Sequence, residues 1–393
     1  MRARKLALAV DGTPVAEEGV SPLAIVAVLA AGIAAGEPPP ASYGHLSPVE
    51  ATLFDVGRAR FETHEDPASG LGPVFNAESC AICHARPTAG GSSERFVTRF
   101  GRLRPDGFDP LTELGGPVVQ ARGVETPGCT VPGETVPAEA TIVAHRDTPP
   151  LYGVGLIDSV PDGQILRRAD PGDRNGDGVR GHANTVRGRV GRFGWKAQIV
   201  SVRQFVATAY LNELGITSPD FPDELLPQGR PTVCDAAHDP EDDGTRIDAV
   251  TRFLVLLAPL RPAPGSAAAR GGRILFRRIG CEACHTIALR AGRRAPSRAL
   301  RGRRIRMFSD LLLHDMGPGL ADGIAQGFAS GSEFRTTPLW GVRASAPYLH
   351  DGRTASLEQA IALHGGEAAA ARTRFLALSP DRRRALIVFL QRI

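Results

Sequence analysis

Cys80-Ala-Ile-Cys83-His84 recurs 201 residues later as Cys281-Glu-Ala-Cys284-His285, and this repeat constrains the 393-residue chain more than any other feature. Two thiols about one helical turn apart can each add to a vinyl group on one edge of a porphyrin. The next residue, His, then lies under the ring and ligates the iron. The pattern is the signature of covalent haem attachment, with Cys80, Cys83 and His84 holding one haem and Cys281, Cys284 and His285 a second. A four-cysteine zinc site would use the same pairs but leaves a His directly after both of them unexplained. A thioredoxin-like dithiol needs a βαβ context that the sequence lacks.

The chain reads as two copies of one plan. A helical stretch over Pro48–Glu62 precedes the first motif, and one over Ala267–Ile279 precedes the second. Arg146-Asp-Thr-Pro-Pro-Leu-Tyr-Gly153 begins 66 residues after Cys80, and Arg335-Thr-Thr-Pro-Leu-Trp-Gly341 begins 54 after Cys281. Each copy ends on apolar residues at helical spacing, Ile247, Val250, Phe253, Leu254 and Leu257 in one and Leu386, Phe389, Leu390 and Ile393 in the other. The expected fold is mainly α, with two cytochrome c-like helical lobes, each packing its first helix against its last beside a haem. Pro259–Ser266 reads as a linker, which places the lobes at 41–260 and 265–393. The first lobe carries a long loop-rich insertion, roughly 100–240, with a few short strands or helices expected in it.

Residues 1–40 begin with Arg2, Arg4 and Lys5 and continue into an apolar, Ala-rich stretch over Pro22–Gly36. This reads as a signal peptide or an N-terminal anchor, although Asp11, Glu17 and Glu18 are unusual in such a segment. Export to the periplasm is expected, with the protein either soluble or held to the membrane through an uncleaved N-terminal segment. A formal net charge of +4 gives little support to a nucleic-acid partner. No long apolar, charge-free span follows residue 40, which excludes a polytopic membrane protein. Cys129 and Cys234 lie outside both motifs, and in an oxidising compartment a disulfide between them is expected, two free thiols being the alternative. The Arg-rich stretch Arg290–Arg306 reads as a solvated loop, or as a basic face toward haem propionates or an acidic redox partner.

Phe334-Arg-Thr-Thr-Pro-Leu-Trp-Gly-Val-Arg-Ala-Ser-Ala-Pro-Tyr348-Leu-His350-Asp351-Gly352-Arg353 resembles a hallmark of bacterial di-haem cytochrome c peroxidases. The closer resemblance is to the di-haem oxidoreductase family, whose members are often labelled thiol oxidoreductases. Gly70–Cys80, Gly191–Lys196, Leu311–Gly317 and His364–Ala368 support it, and the resemblance covers about residues 43 to 393. It implies an exported di-haem oxidoreductase with peroxidase-like chemistry, in which electrons pass from the second haem to the first. The implied partners are a small electron-donor protein or quinol-linked cytochrome, and a small-molecule oxidant such as peroxide. A non-catalytic electron-transfer cytochrome, with both irons six-coordinate, is the alternative.

Axial ligation separates these readings, because an iron with two protein ligands suits electron transfer and an open one can bind peroxide. Met occurs at Met1, Met307 and Met316, so the first lobe of a processed chain has none to offer. Its haem takes His, Lys or Tyr, with His64, His145 and His182 in the lobe, or stays open. In the resembled peroxidases a distal Met follows the His-Asp-Gly segment by a short helix. Leu357–His364 is the matching run, which puts His364 in that position. Met316 and His314 compete with it, and a helix-capping role for His364 is the remaining reading. Ser201–Gly215 resembles the segment carrying a distal Gln and a Glu, implying Gln204 and, with a looser match, Glu213. A carboxylate can move a proton between peroxide oxygens and an amide can orient the ligand, whereas plain helix-surface polarity is the alternative. Trp195 corresponds to a Trp that relays electrons between haems in the relatives, or else fills the core. Asp173-Arg-Asn175-Gly-Asp177-Gly178 matches the front of a calcium loop, but Asn184 stands where an EF-hand has its bidentate Glu. The resembled peroxidases hold calcium between their lobes, so a non-EF calcium site is one reading and a metal-free turn the other.

Overall fold

Serine caps set the starts of the helices that flank both motifs. The structure, a computed structural model, describes residues 42–235 and 237–393; the targeting segment expected over residues 1–40 lies outside them. Helices α1 (Pro48–Glu62), α2 (Val202–Ala209), α3 (Thr245–Leu256), α4 (Ala267–Arg278), α5 (Leu357–Leu363) and α6 (Pro380–Leu390) frame the two motifs. At α1 the Ser47 hydroxyl accepts from the Glu50 N–H while the Glu50 carboxylate accepts from the Ser47 N–H at 2.9 Å, with Pro48 at the first helical position. Ser266 caps α4 by accepting from the Ala269 N–H at 3.1 Å, and Ser356 caps α5 by accepting from the Gln359 N–H at 3.3 Å. The Asp242 carboxylate accepts from the N–H groups of Arg246 and Ile247 at the start of α3.

Helix α1 packs against α3, and α4 packs against α6, through matching contacts. In each pair a glycine lets two backbones approach. A Cβ on Gly57 would lie 2.2 Å from the Ala249 carbonyl oxygen and 2.9 Å from the Phe253 Cβ. A Cβ on Gly272 would lie 2.1 Å from the Ala385 carbonyl oxygen and 2.7 Å from the Phe389 Cβ. One turn on from each glycine stands a phenylalanine. Phe61 lies 5.1 Å from Phe253 and 6.4 Å from the His84 ring; Phe276 lies 5.5 Å from Phe389 and 6.4 Å from the His285 ring. The duplication expected from segment order therefore extends to individual helix contacts. Each such buried ring contributes on the order of 1.5–3 kcal/mol, and the two crossings belong to separate apolar clusters.

Helix outweighs strand, at 31% against 15%, but much of the chain is neither, so "mainly α" holds only in that coarser sense. The described residues fall within one compact unit, and Pro259–Ser266 is without helix or strand. The insertion is more ordered than its composition suggested. Strand Phe96–Arg104 pairs antiparallel with Gly107–Asp109 on one side and Ile142–Asp147 on the other, Phe96 facing Asp147 and Gly101 facing Ile142. That ladder carries Arg146 and Asp147 to the site. In the second half Leu313–Asp315 pairs with Glu333–Arg335, setting His314 opposite Phe334. Cys129 and Cys234 are joined, as expected, with Cα atoms 5.5 Å apart at a sequence separation of 105. Among the described residues no helix is long and apolar enough to cross a membrane.

Candidate haem centres and the cavity between them

In both motifs the chain winds once between the first Cys and the His, with the His84 N–H donating to the Cys80 carbonyl at 3.0 Å and the His285 N–H to the Cys281 carbonyl at 2.9 Å. The imidazoles are held alike. His84 Nδ1 lies 3.0 Å from the Gly91 carbonyl oxygen, and His285 Nδ1 lies 2.9 Å from that of Phe308. A carbonyl only accepts, so Nδ1 carries the hydrogen and the Nε2 lone pair is left for a metal. Burial pushes both imidazoles down to about 4, outweighing the carbonyls, so each is neutral at pH 7, the ligating state. Burial also pushes the Cys80 and Cys281 thiols up to about 12. Neither pair is a thiolate at neutral pH, which weighs against dithiol redox chemistry.

A cavity of about 480 Å³ runs from the second motif toward the first half of the chain. Cys281, Cys284, His285, Met316 and His364 line one part; Leu151, Tyr152, Phe205 and Leu254 line another, with Trp195 and Trp340 also on the wall. His364 ends α5, and its Nδ1 donates to the Ala360 carbonyl at 2.7 Å. It is thus a third imidazole with a free Nε2, and burial lowers its pKa as well. Paired thiols, a neutral imidazole beside them and an apolar cavity are the donor set and surroundings that suit haem.

His314, the competing candidate, is held differently. Its Nε2 bonds Asp310 Oδ2 at 2.9 Å and its Nδ1 bonds Glu367 Oε2 at 2.8 Å, with the Cys284 sulfur 3.5 Å away. Burial alone would lower its pKa, but the bonds to Asp310, Cys284 and Glu367 raise it to about 12. Both nitrogens carry hydrogens, and no lone pair remains for iron. Met316 is half-buried on the cavity wall.

At the first motif, the single helix expected over 201–215 breaks after Ala209 into a π-helical turn, Tyr210–Leu214, a wide turn common at functional positions. Glu213 sits on it. Its Oε2 accepts from Asn76 Nδ2 at 2.9 Å, burial raises its pKa, and its charge is felt by both Cys80 and Cys83. Gln204 holds the start of its own helix, where Oε1 accepts from the Val200 N–H at 3.1 Å. His64 and His145 are exposed, and His182 Nε2 is bound to Glu333 Oε1 at 2.6 Å.

Trp195 Nε1–H donates to the Asp147 carbonyl at 3.1 Å, and its ring stands edge-on to His350 at 6.3 Å. Beyond it lies a buried charge cluster that the sequence reading missed. His350 stacks on Phe334 at 4.1 Å, and the Lys196 ammonium sits 3.7 Å over the same ring. Lys196 is fully buried, donates to the Ser330 carbonyl at 2.8 Å and pairs with Asp322 at 3.2 Å; Arg146 bonds Asp322 from two nitrogens, at 2.7 and 3.0 Å. Burial brings Lys196 down to about 8. In the calcium-like loop the Asp173 carboxylate accepts from the Gly178 N–H, Asn175 Oδ1 from the Asp177 N–H, and Asp177 Oδ1 from the Val179 N–H, so all three side chains hold the turn itself. Glu224, Asp239 and Glu241 form the one convergent carboxylate trio among the described residues, and it lies outside that loop.

Two neutral imidazoles, each following a pair of cysteines, define a protein equipped for two haems. The chain belongs to the family described as "Di-haem oxidoreductase, putative peroxidase", which matches residues 133–393 and so includes the second motif and begins after the first. Two haem groups and oxidoreductase chemistry follow from that membership. No curated protein matches the sequence. Among solved structures the chain is similar to a MauG-like protein associated with microbial copper homeostasis, at 16% identity over 92% of this chain and 93% of that one, with a TM-score of 0.41. It is also similar to the diheme peroxidase BthA from Burkholderia thailandensis, at 18% identity over 91% and 89%, with a TM-score of 0.44. Likenesses this distant add nothing to what the family match shows.

Proposed function

We propose that the protein is an exported, peroxidase-like di-haem c-type oxidoreductase, with haems bound covalently at Cys80/Cys83 and Cys281/Cys284. In this reading the haem lobes span 41–260 and 265–393, after a targeting segment in 1–40. His285 and His364 would hold the second iron, which would supply the entry position for electrons from a donor protein in the periplasm. Trp195, between the cavity wall and His350, carries electrons onward to the first haem.

The observation that carries the proposal is Glu213. It is a half-buried acid with a raised pKa, beside a motif whose lobe offers no Met after processing and whose His64, His145 and His182 are exposed or paired. The haem iron supplies the binding position and electrons for peroxide. Glu213 holds a proton on its carboxyl and delivers it to the departing peroxide oxygen, and Asn76 fixes the carboxyl's orientation. Gln204 Oε1 holds the start of α2 through the Val200 N–H, and its amide Nε2 remains the group that would orient the ligand.

Expression with a cytochrome c maturation system should give a mass with two haem additions and a protein that binds cyanide in the ferric state. Glu213→Gln should lower peroxide turnover by roughly 10²–10⁴-fold with haem content and cyanide binding retained. Because the acid form is the active one, wild-type turnover should fall as pH rises through the raised Glu213 pKa, and Glu213→Gln should lack that limb. A protein that neither binds cyanide when ferric nor consumes peroxide when reduced would instead be an electron carrier with both irons saturated.

A further inference from the structure

Residues 261–306, which contain α4 and the second attachment motif, hold thirteen arginines and one acidic residue, Glu282. This segment is +12 in a chain whose total is +4, so the other 347 residues sum to −8. All thirteen arginines are exposed. Four of them, Arg270, Arg273, Arg277 and Arg278, fall at helical spacing on one arc of α4, away from the buried Ala269, Gly272 and Phe276. Ile274 lies within the same arc and is 67% exposed. Arg277 Nε bonds Glu282 Oε2 at 2.7 Å, which ties the stripe to the turn between Cys281 and Cys284. Among the described residues it is the one member of the four in an ion pair. Ile274, Arg277, Arg278 and Glu282 together line a shallow depression.

Like charges at helical spacing destabilise the helix that carries them. An apolar side chain exposed amid them adds nothing to the fold. Both make sense on a surface that meets a partner. We propose that the outer face of α4 is the docking site for an acidic electron-donor protein, a proposal that rests on the function proposed above. Opposite charge steers the donor's approach, and Ile274 supplies apolar contact at the centre of a small, transient interface. The face abuts Cys281–Ala283, so a docked donor lies next to the second haem. One electron leaves the donor's reduced centre and enters the second iron; no bond forms or breaks and no proton moves. An anionic bilayer would feel the same charge but would have no use for a position beside the attachment turn.

The probe is plant-type [2Fe–2S] ferredoxin, an acidic protein of low potential, added to the full-length, haem-loaded chain. Binding of oxidised ferredoxin should tighten as NaCl is lowered. Arg273→Glu/Arg277→Glu should weaken it about tenfold or more. Arg230→Glu/Arg252→Glu, the same charge change at exposed positions elsewhere, should weaken it less than about twofold. Reduced ferredoxin should reduce the α4 variant about tenfold more slowly than wild type, while dithionite reduces both alike. Salt-independent binding, or equal weakening in the two variants, overturns the proposal. So does binding to phosphatidylglycerol vesicles through these arginines without binding to ferredoxin. Failure of dithionite to reduce any haem would strike the proposed function itself, an outcome distinct from failed docking.

Discussion

Two neighbouring glycines in α4 should answer the same substitution with opposite signs. Alanine in a helix interior is favoured over glycine by about 0.8–1.0 kcal/mol. At Gly271 an added Cβ meets nothing within 4 Å, so Gly271→Ala should gain that full amount. At Gly272 the Cβ would lie 2.1 Å from the Ala385 carbonyl oxygen, a backbone atom that cannot rotate away. Restoring ordinary contact moves α4 and α6 apart by roughly 1 Å and opens the Phe276–Phe389 packing, in an interior that is close-packed. Overpacking of this kind costs up to about 3 kcal/mol, leaving Gly272→Ala destabilised by about 2 kcal/mol after the helix gain. With an unfolding entropy near 2.1 cal/mol/K per residue over about 350 residues, 1 kcal/mol corresponds to about 1.4 °C. Tm should therefore rise by about 1 °C in Gly271→Ala and fall by about 3 °C in Gly272→Ala. Thermal unfolding of the haem-loaded protein, followed by far-ultraviolet circular dichroism and by the Soret band, reads both changes. The Soret band should shift in Gly272→Ala alone, because Phe276 joins that crossing to His285. Equal responses at the two positions, or a neutral Gly272→Ala, would refute the helix contact.

His364→Ala should convert the second iron from six-coordinate low-spin to high-spin or ligand-accepting in the optical and EPR spectra; an unchanged low-spin spectrum would move the assignment to Met316. Cys129→Ser/Cys234→Ser should lower stability by about 2–5 kcal/mol, since the bridge closes a loop more than a hundred residues long. Non-reducing peptide maps of the wild type should show that pair cross-linked, and full alkylation of both thiols in the folded protein would contradict it.

What the sequence disclosed is what chemistry or local geometry fixes at short range. Family membership bears out two haems, and the residues proposed to attach them stand out as two runs of five because attachment would demand Cys and His at set spacing. The helices before both motifs were legible from their apolar spacing, and the structure adds the local caps Ser47 and Ser266, each bonding within three residues of itself. The Cys129–Cys234 pairing followed because no other cysteines were left. The helix crossings were not legible. Gly57 and Gly272 look like weak points in a helix until the carbonyls of Ala249 and Ala385, about 190 and 113 positions on, are brought against them. The π-helical turn that presents Glu213 and the three-stranded sheet in the insertion likewise depend on long-range partners, and composition could say only that the insertion holds a few short strands or helices, not which of them pair.

The histidines show the same limit at the level of chemistry. His84, His285, His364 and His314 all lie near the two motifs, His314 buried and the other three half-buried, and sequence position alone left His364 and His314 as rivals. The hydrogen-bond partner separates them. A backbone carbonyl takes the Nδ1 hydrogen of the first three and leaves a neutral ring with a free Nε2. Two carboxylates, Asp310 four residues before and Glu367 fifty-three after, take both hydrogens of His314 and keep it a cation. Asp310 lies within a helical turn's distance in sequence, yet the segment is extended, and nothing in the sequence points to Glu367. On the proposed haem assignment, a buried cation 3.5 Å from the Cys284 sulfur, flanked by two carboxylates, would tune the second haem rather than ligate it. The distinction between a residue that binds a metal and one that tunes it is therefore written in its neighbours, and those become readable when the fold brings them together.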